Sequence, residues 1–298
     1  MSNEKQRVSL DEVSAGKWLL CILLSIVFMF VVGTVCLSII TIGVTLACGD
    51  LTGEAATFFK MFQMLSVFAF GYIGFVIFAR VICKTTVKEA IVGQNVAYSK
   101  KDLAILAILY FLTFWFVTAM DNNFFASTVL NSASFGWIVA NIVMCFALVW
   151  MQTTLEELWC RMVPLRIACG NKIRLTGKCV VACLIGSLVF GLLHFANTPV
   201  ASQTDIVGIL VALSCYFLFG VFFCFVDIVH ETGLPGVILH WMNNLMLFAF
   251  FGAAGGLTLF VDPSGSETAN PVTQLILMLP CIIYLVYVIV RRKKHRQG

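Results

Sequence analysis

Residues 18–47 read WLLCILLSIVFMFVVGTVCLSIITIGVTLA, an apolar run from Trp18 to Ala47 without a charged side chain. About 20 such residues in a helix cross the hydrocarbon core of a bilayer. The run is too long for the core of a signal peptide, and no small-residue cleavage pattern stands out, so it reads as a retained first span. Its length predicts helix, because every backbone N–H and C=O in lipid must be satisfied within the segment. The alternating pattern of a membrane β-barrel is absent.

Further apolar runs lie at approximately 58–82, 103–120, 135–155, 179–197, 206–229, 234–256 and 272–290. The run from 135 extends through the polar 156–161 stretch towards Ile167. Together they predict an all-α, polytopic membrane protein with about eight transmembrane helices. Composition agrees. The 298 residues are 60% hydrophobic and only 11% charged, with a mean hydropathy of +0.98, whereas a soluble domain carries about 25% charged residues. That excludes a soluble globular domain: the chain needs lipid as its solvent, and its 27 Phe suit a lipid-facing surface.

Positive charge alternates along the chain. Lys5, Arg7 and Lys17 precede the first run. Lys84, Lys88, Lys100 and Lys101 follow the second, and Arg166, Lys172, Arg174 and Lys178 follow the fourth. Arg291, Arg292, Lys293, Lys294 and Arg296 follow the last. The intervening loops hold Asp50, Glu54, Asp121, Asp205, Asp262 and Glu267 but no Lys or Arg, Lys60 being the sole outlier. Basic loops stay in the cytoplasm, so both termini are expected there, as is an even number of spans. The domain reading is a cytoplasmic tail at 1–17, a single membrane domain at 18–290 and a basic cytoplasmic tail at 291–298. The last tail reads as a stop-transfer anchor, and no nucleic-acid partner is expected. The 12 Cys sit almost entirely in apolar stretches without metal spacing, as buried small hydrophobes, so no disulfide framework is expected. Gly252 and Gly256 form a Gly-x-x-x-Gly pair in the seventh run, a weak helix-packing signal.

A charged side chain at the centre of a span costs roughly 2.5–3.5 kcal/mol on insertion scales, so polar residues inside these runs mark candidate chemistry. Glu156-Glu157-Leu158-Trp159-Cys160-Arg161 follows the run from Phe135. Glu157 and Arg161 are four apart, share a helix face and can pair. Glu156 is rotated by about 100°; without a partner in this motif, it is free to face a cavity as a general base. The alternative is a polar helix end at the interface. His194 ends the fifth run, where it could share a proton or a water with Glu156, or bind a metal; alone, it reads as a His bonded to a nearby carbonyl. His240 and Asn244 share one face of the seventh run and can both donate hydrogen bonds to an oxyanion; alone, they read as polar glue between helices. Together these residues supply the parts of water-mediated amide hydrolysis. The His-Glu-x-x-His zinc helix and the Gly-x-Ser-x-Gly elbow are absent. Asp227 and His230 read as interface residues.

Glu156-Glu157-x-x-x-Arg161, Phe190-x-x-x-His194 and His240-x-x-x-Asn244, with Thr232-Gly233 before the last, resemble the ordered motifs of the CAAX protease and bacteriocin-processing family, also called the Abi family. The resemblance covers roughly residues 135–250. It implies an eight-helix intramembrane endopeptidase with a polar catalytic cavity, related to the enzymes that trim prenylated CAAX proteins. By it, Glu156 activates water with help from His194, Glu157 and Arg161 support the site, and His240 and Asn244 stabilise the oxyanion. The expected substrate is a membrane-associated protein or peptide, of CAAX or bacteriocin type, and the expected location a bacterial cell membrane. The family is commonly labelled metalloprotease. Zinc on Glu156, His194 and His240 fits on paper, yet it would consume the free base, so no obligatory cofactor is expected.

Two other readings stay open: a non-catalytic scaffold or bacteriocin self-immunity protein, and a transporter using the polar cluster as a proton path. Simple topology also places His194 at the end of an outward-running span and His240 soon after a cytoplasmic loop, at different depths.

Overall fold

A computed structural model describes residues 8–120, 129–253, 256–262, 276 and 278–297. Residues 1–7 of the expected tail, residues 121–128 and most of 263–277 lie outside the described residues. The described chain is helical apart from one small sheet. In chain order the helices are α1 (Ala15–Cys48), α2 (Gly53–Cys83), α3 (Val87–Val92), α4 (Lys100–Met120) and α5 (Phe135–Cys169). They continue with α6 (Gly177–Leu193), α7 (Thr198–Ala201), α8 (Ile206–His230), α9 (Leu234–Phe250) and α10 (Leu279–Gln297). Four of them, α1, α2, α5 and α8, are long and apolar enough to cross a membrane. Each of the eight apolar runs contains a helix.

The sequence places the boundaries. Ser14, Thr86, Thr176 and Asp205 cap helix starts, each side chain accepting from a backbone N–H of the first turn. Gly49, Gly93 and Gly170 end α1, α3 and α5; their positive φ is disfavoured for residues with a Cβ. The seventh run is shorter as a helix than its apolar length. After Phe250 the chain is extended at Phe251–Ala253 (β2), which runs parallel to Phe260–Asp262 (β3), itself antiparallel to Val129–Leu130 (β1), in the order β1-β3-β2. Gly252 therefore sits in a strand, and the Gly252/Gly256 spacing is no helix-packing motif.

Polarity is inverted relative to a soluble protein. Leu19, Leu23, Phe30, Ile39 and Leu46 on α1 point outward, as do Val143 and Phe146 on α5 and Ile283 on α10. Asn141, Gln152, Glu156, Glu157, Arg161, Arg166, Asp227 and His240 point inward. Such an apolar exterior around a hydrogen-bonded polar interior is the arrangement a bilayer selects. The protein is an integral membrane protein.

Basic segments meet at one end of the bundle. The N-terminal segment docks there, Leu10 N–H donating to Gln94 and Asn171 N–H to Asp11. Arg291 of α10 reaches Asp102 at the start of α4, at 3.3 Å. At this end Arg166 is buried and donates to the carbonyls of Ala90, Ile91, Gly170 and Asn171 at 2.6–3.2 Å. It thereby ties α3 and the α5–α6 turn together through charge-assisted bonds. Cys169 and Cys179 lie side by side across that turn, with Cα atoms 6.2 Å apart.

Candidate active site

Helix α5 is not regular at the polar stretch. It widens into a π-helical turn at Leu158–Met162, directly after Glu157. Pro164 follows within two residues and has no N–H for the Cys160 carbonyl four residues back. That carbonyl faces Gly186 of α6, where even a methyl group would collide with it. The two backbones meet because one chain lacks a hydrogen and the other lacks a Cβ. The contact fixes α6 beside the Glu156–Arg161 turn. Single π turns of this kind recur at functional sites.

Glu157 and Arg161 form an ion pair, both almost fully buried. Arg161 also lies 3.9 Å from Asp227 of α8. Its guanidinium stands over the Phe223 ring at 4.9 Å and the Phe190 ring at 5.9 Å. Asp227 in turn accepts from Gly236 N–H at 2.8 Å, one helical turn before His240. The sequence reading of Asp227 as an interface residue is corrected: it is fully buried and anchors the start of α9 to the Arg161 pair. A lone carboxylate near the end of an apolar run gives no sign of that partner, because the partner comes from another helix.

His240 lies between the two glutamates. Its Nδ1 is 2.5 Å from Glu157 Oε1 and its Nε2 is 3.4 Å from Glu156 Oε2. The ring stacks on Phe223 at 5.5 Å and meets Phe190 edge-on at 5.4 Å. A Glu157 carboxylate held by Arg161 accepts, so Nδ1 carries hydrogen. Nε2 faces the Glu156 carboxylate at 3.4 Å, where Oε2 accepts no hydrogen bond from the described residues. Glu156 is not partnerless: Gln152 Nε2 donates to its Oε1 at 3.1 Å. The carboxylate is buried, yet it keeps more exposure than Glu157, 8% against 1%.

His194 sits just past the end of α6, half-buried, with Nδ1 2.6 Å from the Phe190 carbonyl. A carbonyl only accepts, so Nδ1 holds the hydrogen and Nε2 of the neutral ring is an acceptor. Its ring stacks on Tyr216 of α8 at 4.2 Å and touches Phe190 at 4.4 Å. Phe190 thus contacts both His194 and His240. The α8–α9 turn is covered by protein. Thr232 is fully buried there, and Gly233 N–H donates to Ile91 O at 2.9 Å beneath α3 and Arg166. Asn244 lies one turn beyond His240, where its Oδ1 accepts from Asn243 Nδ2 at 3.1 Å.

His240 directs Nδ1 at Glu157 and Nε2 at Glu156, and Nδ1 of His194 donates to a carbonyl, which leaves its Nε2 open. Among the described residues no group of three or more His, Cys, Asp or Glu side chains is placed to hold an ion.

Residues 138–246 match the family model described as type II CAAX prenyl endopeptidase Rce1-like. Comparison with curated proteins and with solved structures finds no match. The matched segment runs from α5 through most of α9 and contains Glu156, Glu157, Arg161, His194, His240 and Asn244. Residues 138–246 are thus similar to a family of proteases, the type II CAAX prenyl endopeptidase Rce1-like family.

Proposed function

We propose that this protein is an intramembrane endopeptidase of CAAX type, hydrolysing a peptide bond in a membrane-associated protein or peptide at the cluster around Glu156. One observation carries the reading: His240 bridges Glu156 and Glu157 inside the matched segment, in a wall of apolar helices. Glu156 takes a proton from water as the water oxygen adds to the scissile carbonyl carbon. His194 Nε2 accepts the second water hydrogen and orients the attack. The oxyanion that forms is met by Asn244 Nδ2 and by Nε2–H of a doubly protonated His240. The proton on Glu156 passes to the amide nitrogen as the C–N bond breaks, leaving a carboxyl and an amine terminus.

Glu157, Arg161 and Asp227 act on this chemistry only through His240, by fixing its ring. No obligatory metal enters the scheme. The catalytic core is residues 135–250. Both termini face the cytoplasm of a bacterial cell, a reading supported by the alternation of basic and base-free loops.

The test is cleavage of a farnesylated peptide ending in a CAAX sequence by the full chain in lipid nanodiscs. Wild-type protein should release the C-terminal fragment. Glu156→Gln should be slower by more than about 100-fold, the scale of a lost general base, with an unchanged melting temperature. Wild-type turnover by Glu156→Gln ends the assignment.

A further inference from the structure

Asn244 is the residue in the proposed site whose orientation its own helix does not explain. An asparagine amide is useful to an oxyanion only if Nδ2 faces it, and a half-turn of the amide presents Oδ1, which repels negative charge. In the structure a chain of hydrogen bonds leads to the amide from a neighbouring helix. Tyr110 of α4 is 1% exposed, and its hydroxyl donates to Asn243 Oδ1 at 2.9 Å. Asn243 Nδ2 then donates to Asn244 Oδ1 at 3.1 Å. With Oδ1 taken, Asn244 has its Nδ2 hydrogens left to offer.

We propose that Tyr110 and Asn243 are positioning residues that hold the Asn244 amide with its N–H group turned to the reacting carbonyl. The inference rests on the reading of Asn244 as an oxyanion donor. It extends that site to α4, which lies wholly outside the matched segment 138–246.

Each link depends on the one before it. A Tyr hydroxyl both donates and accepts, but it is buried against Asn243, 133 positions away in the chain. If its hydrogen goes to Asn243 Oδ1, the Asn243 amide is fixed and its Nδ2 points at Asn244. Take away the hydroxyl and Asn243 is free to flip, and Asn244 with it. Each amide then samples both orientations, and the donor is present for only part of the time. Loss of one neutral hydrogen bond has a modest effect, of the order of a tenfold change. Loss of the oxyanion donor itself is larger, roughly 10²–10³-fold in kcat.

The experiment is a double-mutant cycle on the farnesylated peptide, with Tyr110→Phe made in the wild type and in Asn244→Ala. Tyr110→Phe should lower kcat about tenfold with KM and melting temperature unchanged, and should add nothing in the Asn244→Ala background. An equal loss in both backgrounds overturns the proposal, as does a loss that appears only in KM or melting. A second readout does not need turnover. In protein labelled with ¹⁵N-asparagine, the side-chain amide signal that Asn244→Ala removes should shift or broaden in Tyr110→Phe. An unmoved Asn244 signal refutes the relay even if no peptide is cleaved, whereas failure of wild-type cleavage with a moved signal counts against the endopeptidase reading alone.

Discussion

His240 Nδ1 lies 2.5 Å from Glu157 Oε1, a bond between residues 83 positions apart. Glu157 is therefore shared: Arg161 neutralises it and His240 is oriented by it. A carboxylate with both duties is hard to replace. Glu157→Gln keeps the shape but sets an amide N–H₂ against the guanidinium or the imidazole. Removing one partner of a buried ion pair costs roughly 3–5 kcal/mol. The expected result is a lower melting temperature and lower folded yield in detergent, together with reduced turnover in the fraction that folds. A Glu157→Gln protein that melts with the wild type would show that the shared carboxylate is not what holds α5 and α9 together.

The close approach of α6 to α5 gives a second prediction. Gly186 faces the Cys160 carbonyl that Pro164 leaves without its helical partner. Gly186→Ala must push the backbones apart, since a carbonyl cannot rotate away as a side chain does. Overpacking of this kind costs typically 1–3 kcal/mol. Because α6 carries Phe190 and leads into His194, turnover should fall together with stability. Thermal melting and peptide cleavage measured on the same preparation check both. A gain in stability, as expected for glycine to alanine in an unhindered helix, would contradict the close contact.

Much of this was legible in the sequence, and what was missed has a common cause. The spacing of Glu157 to Arg161 and of His240 to Asn244 is local, and the structure keeps each pair on one helix. The approximate helix positions were legible because apolar length is a property of one segment. Missing were the π turn, the burial of the α8–α9 turn, the role of Asp227 and the partners of Asn244. Each of these depends on which helix comes alongside. Asp227 is three residues from His230 and reads as a polar helix end, until α9 folds back and gives it Gly236 and α5 gives it Arg161. The burial of the turn before His240 could not be read because Thr232 and Gly233, of ordinary polarity, lie against α3, where Gly233 N–H donates to Ile91 O. The seventh run looked like helix to 256 because strand and helix residues are equally apolar there.

Contacts at one end of the bundle predict the topology. The N-terminal segment, the loop before α4, the α5–α6 turn and the start of the last basic segment touch one another in pairs: Leu10 with Gln94, Gln94 with Asn171, Asp102 with Arg291. Lys and Arg concentrate in these four segments, and basic loops are retained in the cytoplasm. Reporter fusions after Lys101 and after Asp262 should therefore give opposite signals, cytoplasmic for the first and external for the second. The same side for both would refute the alternation and the eight-span reading with it.

The last prediction concerns metal. A catalytic zinc takes three protein ligands from His, Cys and carboxylate and keeps one position for water. Glu156, His194 and His240 are the set on offer. For His240 to ligate through Nε2, that nitrogen must carry no hydrogen, and Glu156, 3.4 Å away, must coordinate rather than accept a proton from water. The base and the ligand are one carboxylate, and Gln152 already donates to it. His240 Nδ1 cannot substitute, because Glu157 occupies it at 2.5 Å and Arg161 holds Glu157 in place. Asn244 is a poor zinc ligand, while its amide serves an oxyanion directly. These residues have consistent roles when the water is activated by Glu156, with help from His194, and no metal. Purified protein should accordingly hold less than one zinc per chain and cleave the farnesylated peptide after exhaustive chelation, at a rate that added zinc does not raise. Stoichiometric zinc by elemental analysis, with activity lost to chelator and restored by zinc, would require the His240–Glu156 contact to open and a ligand set of Glu156, His194 and His240 to close in its place.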